Sequence, residues 1–243
     1  MRAHRIPLDG LSLESRHFPA QAATRTPYHH PGRLLSKGEY LYHADDILRT
    51  PQIVTSGALK GFSIDPDGNE CVLRLYSEGD LIGLEALARR PALMSVIALS
   101  TVRVSTLSEH AASITESGTQ PGTDALLTCV YQELRQATRI LEMNRGPTEA
   151  RLARFLLQYG DKQALRGCKR HEFLLPFGRR DLAHYLGLAT ETLSRVFARL
   201  QKRRILDVDS HHIVVLDLDA LRRVASESTF TTAATVERHA SGE

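Results

Sequence analysis

Cysteine is scarce in this sequence, and the few cysteines form no pattern. The 243 residues include three of them, Cys71, Cys129 and Cys168, which lie far apart and are odd in number. We therefore expect neither a disulfide framework nor a CxxC metal site. The count also excludes an iron–sulfur cluster held by four thiolates of one chain.

Long apolar runs and clustered histidines are missing as well. No run approaches the ~20 apolar residues of a membrane span, and residues 1–13 lack the apolar core of a signal peptide, so we expect a cytoplasmic protein. Between residues 31 and 107 the only histidine is His43, whereas a cupin-like metal enzyme needs grouped His and carboxylate ligands. We expect no catalytic residues and no metal, and keep that enzyme as the alternative from another functional class.

Charge is unevenly distributed along the chain. Residues 145–204 contain 14 Lys and Arg against 5 Asp and Glu, a local excess of +9, which leaves −6 for the remainder of a chain whose total is +3. Such runs are often only solvated surface. A basic C-terminal third on an acidic body is nevertheless typical of a phosphate-binding module joined to a sensing or contact module.

The segment 33–108 consists of short apolar or alternating runs separated by Gly and Asp turns, a pattern typical of a β-sandwich or roll. The lead before it, residues 1–32, has no periodicity and is predicted to be irregular. Strands are predicted at 39–42, 52–55, 59–64, 71–76 and 95–107.

A long helix is predicted next, over 123–143. Its apolar residues recur at alternating spacings of three and four, like the a and d positions of a coiled coil. Either the helix packs on its own roll or it pairs two copies of the chain. The residues of this seam are Leu127, Val130, Leu134, Ala137 and Leu141.

Residues 178–201 contain two short helices that are broken at Gly187. Leu182, Leu186 and Leu188 supply the apolar contacts of a helix-turn-helix. We expect Thr190 to cap the second helix, because Ala189 before it has no side chain that could.

Other elements are predicted on both sides of this motif. A helix over 147–158 precedes it, and a hairpin wing formed by 205–209 and 212–216 follows it. A short helix over 216–225 comes last. The polar residues 226–243 are predicted to be a disordered tail.

The second helix of the motif has two different faces. At about 100° per residue, Leu193, Val196, Phe197 and Leu200 share one arc and can be buried together. The opposite side presents Glu191, Ser194, Arg195, Ala198, Arg199 and Lys202.

Three of these outward side chains suit the major groove of DNA. Arg195 can donate two hydrogen bonds to guanine O6 and N7, Glu191 can accept one from a cytosine N4 amine, and the Ser194 hydroxyl can serve several bases. An ordinary amphipathic helix with a solvated charged face would show the same pattern, and it is the alternative.

Three groups of residues, Leu186-Gly187-Leu188, Glu191-Thr192-Leu193-Ser194-Arg195, and Gln201-Lys202 with Ile205-Leu206, carry a family resemblance. They resemble the DNA-binding domain of the CRP/FNR family of bacterial transcription regulators. The Glu-x-x-Ser-Arg spacing is similar to the FNR and FixK branch. In that branch, the side chains at these three positions read TTGAT half-sites in an inverted repeat with ATCAA.

The resemblance implies an α+β fold made of a β-roll (33–122), a dimerisation helix and hinge (123–146) and a winged helix-turn-helix (147–225). It also implies double-stranded DNA and RNA polymerase as partners, and a homodimer, because an inverted repeat needs a two-fold protein to read both halves. Candidates for contacts with DNA phosphates are Arg179, Thr192, Arg199 and Lys202.

The resemblance also bears on cofactors. In the cyclic-AMP branch a Glu and an Arg-Ser pair hold the nucleotide; this chain has Leu84 and Ala92-Leu93 instead, so we expect no cyclic-AMP response. The cysteines of an FNR-type cluster are absent. Haem with an axial His such as His43 stays open, and so does redox control through Cys168, whose basic neighbours would favour the thiolate.

Overall fold

The computed structural model describes residues 32–106 and 145–227, together with four single positions at 131, 135, 138 and 140. These four positions are helical, in agreement with the helix predicted over 123–143. The five seam residues, the lead 1–31 and residues 228–243 of the predicted tail lie outside the described residues.

Residues 32–106, called the roll below, form two antiparallel four-stranded sheets. Its strands are β1 Arg33–Leu35, β2 Tyr40–Tyr42, β3 Gln52–Ser56, β4 Ala58–Ile64, β5 Glu70–Ser77, β6 Leu81–Ile82, β7 Ser95–Ala98 and β8 Val102–Thr106. One sheet has the order β1-β8-β3-β6 and the other β2-β7-β4-β5. Leu35, Leu59, Val96 and Val102 are fully buried in the core between them.

The first four predicted strands are confirmed, but the single strand predicted over 95–107 is wrong. Two strands occupy this region, and they belong to different sheets. The chain crosses from one sheet to the other at residues 99–101, where Leu99 N–H donates to the Ala58 carbonyl and Ser100 Oγ accepts from Ala58 N–H. The apolar pattern continues through this crossing because both strands face the same core.

Residues 145–227, called the head, form a winged helix-turn-helix. Leu152, Leu156, Leu182 and Leu193 are fully buried at its centre. The elements are α1 Thr148–Leu165, β9 Glu172–Leu174, α2 Arg179–Tyr185, α3 Thr190–Lys202, β10 Leu206–Asp209, β11 His212–Val215 and α4 Leu218–Ser226. Strands β10, β11 and β9 form an antiparallel sheet in that order.

Two differences from the sequence-based elements lie next to each other. Helix α1 continues seven residues past the predicted end at 158, and its last turns bury Tyr159 and Gly160. The short strand β9, which no alternating run predicts, pairs with β11. Gly160 lets the segment before β9 lie close against α1, because a Cβ there would lie 2.4 Å from the Arg170 carbonyl oxygen.

The head packs against β4 and β5 of the roll. Two partly buried roll residues, Leu75 and Leu99, join the apolar cluster of the head, together with the buried Ala58. Ion pairs surround this contact. They are Lys60 with Asp181 at 2.9 Å, Lys162 with Asp80 at 2.5 Å, and Arg166 with Glu78.

None of the described helices is both long and apolar enough to cross a membrane.

Candidate nucleic-acid interface

Helix α3 is fixed in the head by one apolar face. Leu193, Val196, Phe197 and Leu200 are each at most 3% exposed. The buried arc predicted for this helix is therefore confirmed. The face that points away from the core is left for contacts outside the head.

Glu191, Ser194 and Arg195 are all exposed on that outer face. Within the described residues, neither Glu191 nor Arg195 has a hydrogen-bond or ion-pair partner. The Ser194 hydroxyl donates to the Thr190 carbonyl at 2.9 Å, and its lone pairs stay able to accept. The three side chains thus form one solvent-facing set with an acceptor, a hydroxyl and a guanidinium.

The start of α3 differs from the expected cap. The cap position is Ala189, whose backbone is extended (φ −69°, ψ 146°), and no side chain caps the helix. The prediction that Thr190 caps it is wrong, because Thr190 is already the first helical residue. The N–H groups of the first turn therefore lack a side-chain acceptor within the head.

Gly187 sets the angle between α2 and α3. Its φ of 62° lies in the left-handed region, which glycine adopts without the steric cost of a Cβ. Leu188 N–H donates back to the Ala183 carbonyl at 2.9 Å and closes the end of α2. This turn brings α2 behind α3, so that α3 is presented outward.

Arg179, at the front of α2, lies between α3 and the wing formed by β10 and β11. Its guanidinium stacks 3.5 Å from the ring centre of Phe197, and Nη2 donates to the Ser210 carbonyl at 3.4 Å. Burial lowers the pKa of this half-buried guanidinium. Among the described residues its buried Nη1 has no hydrogen-bond partner.

Arg199 and Arg203 share one carboxylate. Glu149, on the first turn of α1, accepts from Arg199 Nε at 2.6 Å and from Arg203 Nη1 at 2.9 Å. Sequence reasoning missed Glu149 and Arg203, since the pair spans 54 positions. Of the other candidates for phosphate contact, Lys202 is exposed and Thr192 is half-buried.

Two family matches cover most of the described chain. Residues 150–224 match the Crp-like helix-turn-helix domain, and residues 33–113 match the cyclic nucleotide-binding domain. The transcriptional activator protein Anr of Pseudomonas protegens is 30% identical over 192 residues, which cover 76% of this chain and 77% of Anr. The chain belongs to the CRP/FNR family. It is a transcription regulator with a helix-turn-helix DNA-binding domain, and not an enzyme.

Other CRP/FNR relatives agree with this assignment. The fumarate and nitrate reduction regulatory protein of Escherichia coli is 30% identical over 201 residues, 80% of this chain and 78% of that protein. The structure of FixK2 from Bradyrhizobium japonicum has a TM-score of 0.72 and covers 82% of this chain and 98% of FixK2. Its 24% identity supports the fold alone.

In the roll of this chain, apolar side chains pack against two glycines that lie close in sequence or space to Leu84 and Leu93, the residues that replace the nucleotide ligands of the cyclic-AMP branch. A Cβ at Gly83 would meet Leu48 Cδ1 at 2.9 Å, and one at Gly61 would meet Met94 Sδ at 2.4 Å. Ala92 is 2% exposed, and Leu93 points outward at 76% exposed. These apolar residues do not fit a cyclic phosphate, which needs charged or donor groups.

Three cysteines are too few for the four thiolates of an FNR-type cluster. Cys71 and Cys168 are both exposed, one in the roll and the other in the head. The basic side chains that flank Cys168 are engaged by carboxylates, which offsets the positive surroundings expected for a reactive thiolate. These pairs are Arg166 with Glu78, Lys169 with Glu172 and Arg170 with Asp161.

Proposed function

We propose that this CRP/FNR regulator binds as a homodimer to an inverted repeat of the type TTGAT…ATCAA. Glu191, Ser194 and Arg195 read base edges, and Arg195 makes the bidentate contact with a guanine. The observation that carries the proposal is the exposed set of these three side chains on a helix whose opposite face is fixed in the core.

Contacts with phosphates position the head without selecting a sequence. Lys202 is exposed and available for such a contact, as is the half-buried hydroxyl of Thr192. Arg199 Nε is engaged by Glu149 at 2.6 Å, so Arg199 reaches a phosphate with its other N–H groups or after leaving Glu149. Arg179 is also proposed as a phosphate contact, and it holds the wing and α3 together through its stack on Phe197 and its hydrogen bond to the Ser210 carbonyl.

In this proposal two chains pair through the seam Leu127, Val130, Leu134, Ala137 and Leu141. An inverted repeat needs two heads related by a two-fold axis. The four described positions between 131 and 140 are helical, as a pairing helix requires. Bound at such a site, the dimer regulates transcription through contacts with RNA polymerase.

The proposed regulator needs neither cyclic AMP nor an iron–sulfur cluster. The apolar residues Leu84, Ala92 and Leu93 at the expected nucleotide site and the count of three cysteines support this. The alternative is a haem- or redox-gated sensor of the same family, with His43 or the exposed Cys168 as the responsive residue. A Soret band in protein purified without oxygen would favour haem; DNA affinity lost on oxidation, and kept in Cys168→Ser, would favour redox control.

Selection of bound DNA from a random pool tests the base-reading residues, the symmetry and the spacing together. We expect an inverted repeat with TTGAT-like halves and one fixed separation. Recovery of single sites or direct repeats would contradict the homodimer. Recovery of an inverted repeat without the TTGAT core would contradict the base-reading assignment but not the dimer.

A further inference from the structure

Two arginines of α1, Arg151 and Arg154, lie on the same side of the helix. Both reach back to residues 145–146, which precede α1 and are called the linker below. Arg151 Nε donates to the Gly146 carbonyl at 3.1 Å. Arg154 Nη1 donates to the Arg145 carbonyl at 2.7 Å. The guanidinium groups thus bind two consecutive linker carbonyls.

The other arms of both guanidinium groups bind the ends of head helices. Arg151 Nη1 donates to the carbonyls of Leu186 and Gly187, both at 3.3 Å, where α2 turns into α3. Carbonyls at helix C-termini lack intrahelical donors and carry partial negative charge, so they are good acceptors for a cation.

At α4 the second guanidinium does the same. Arg154 Nε donates to the Ala225 carbonyl at 2.7 Å and Nη2 to the Glu227 carbonyl at 3.2 Å. Each arginine therefore connects one linker carbonyl to the end of one helix of the head. The planar guanidinium fixes the directions of its donors, which an ammonium group would not.

Gly146, whose Cα lies between the two bound carbonyls, has an intrinsically flexible backbone. Gly146 has φ of 84°, and glycine can leave this left-handed region at little cost. Without the two arginines, rotation at Gly146 would change the angle between the head and the chain that precedes it. The hydrogen bonds restrict this rotation from both sides, at Arg145 and at Gly146.

We propose that Arg151 and Arg154 are positioning residues that hold the head at a fixed angle to the linker, and so set the distance between the two heads of a dimer. This inference rests on the proposed homodimer, because the angle matters only when two heads bind one DNA. Neither residue needs to touch DNA for this role. Its signature is loss of spacing preference with unchanged binding to one half-site.

The test uses the full-length variants Arg151→Lys and Arg154→Lys, which keep the charge and lose the planar fork. Arg222→Lys is the matched control, because Arg222 is an exposed arginine of the head that pairs with Asp219 at 3.0 Å. Affinity is measured for a single half-site and for inverted repeats with the selected spacer or one base pair more or less.

In the two test variants we expect the preference for the selected spacer to fall about threefold or more, with half-site affinity within about twofold of the unmodified protein. Arg222→Lys should keep both values. An unchanged spacer preference in both variants overturns the proposal. So does an equal loss on half-sites, which would indicate a merely structural role.

Tryptic cleavage after Arg145 measures the same hydrogen bond without DNA, because Arg154 binds the carbonyl of the bond that trypsin cuts. Cleavage there should be several-fold faster in Arg154→Lys than in Arg222→Lys. If the unmodified protein shows no spacer preference, the homodimer proposal fails and the spacing role fails with it. Faster cleavage would then still support the contact at the linker, and unchanged cleavage would exclude that too.

Discussion

Lys60 Nζ, on strand β4 of the roll, lies 2.9 Å from Asp181 Oδ1 on the first helix of the helix-turn-helix, across 121 positions of sequence. Glu70 accepts a second hydrogen bond from the same ammonium group at 2.6 Å. The Lys60 and Asp181 side chains are only 13% and 19% exposed. The roll therefore holds α2 through an ion pair that is largely shielded from water, and a change in the roll would reach the head at this point.

Replacing Lys60 by Met should loosen the head on the roll. The substitution keeps the apolar stem but leaves the carboxylates of Asp181 and Glu70 facing each other, which we expect to cost about 1–3 kcal/mol. Calorimetry should give a lower unfolding midpoint, and amide exchange in α2 should become faster. Lys37→Met, at an exposed turn of the roll, is the control and should change neither. An equal effect in both variants would contradict the role of Lys60.

The stabilisation from Lys60 should be independent of pH around neutrality. Burial lowers the pKa of Lys60, but the hydrogen bonds to Glu70 and Asp181 outweigh burial and raise the pKa above its ordinary value of 10.5. A raised pKa in the folded state gives stabilisation that is full below this value and is lost as pH rises through the folded pKa. The midpoint difference between the unmodified protein and Lys60→Met should thus stay constant from about pH 6 to 9 and shrink above about 10.5. A midpoint difference that already decreases near pH 7 would show that a titrating group other than Lys60 causes it.

Local patterns predicted the parts of the head that depend on neighbours in sequence. The spacing of Leu193, Val196, Phe197 and Leu200 determines which face of α3 is buried, because a helix repeats every 3.6 residues. Gly187 similarly marks the turn. The cap of α3 was predicted wrongly at Thr190, since a shift of one residue in the helix start changes which side chain can cap it.

Long-range polar contacts could not be predicted in this way. Lys60 and Asp181 are charged residues of ordinary appearance, and only the packing of the head on the roll brings them together. The acceptors of Arg151 and Arg154 are backbone carbonyls, which every residue has, so no sequence pattern marks them. The same holds for Glu149, whose two arginines lie 50 and 54 positions away.

Arg195→Ala should lose base discrimination. We expect a cost of about 1–3 kcal/mol on the selected inverted repeat and a relaxed requirement for one guanine, with little change on random DNA. Titration of the selected site, of sites with each base at that position, and of random DNA measures this. Equal losses on selected and random DNA would remove Arg195 from the base-reading set.

Lys202→Ala is the counterpart for a phosphate contact. Loss of its exposed ammonium group should weaken binding to all sequences by a similar factor and reduce the slope of log affinity against log salt by about one. Base preference should be unchanged. A variant that changed preference at one base pair while keeping the salt slope would place Lys202 at a base edge instead.

Glu149→Gln should strengthen binding to DNA of any sequence. The carboxylate holds Arg199 at 2.6 Å and Arg203 at 2.9 Å, and a DNA phosphate competes with it for the same guanidinium groups. Removal of its charge frees both cations, so the slope of log affinity against log salt should become steeper by about one to two. Asp219→Asn is the matched control, because it removes one negative charge from the same head at a site that pairs with Arg222. If both variants gain affinity equally, the effect comes from net charge alone; a larger gain in Glu149→Gln identifies Glu149 as the residue that limits phosphate contact by the end of α3.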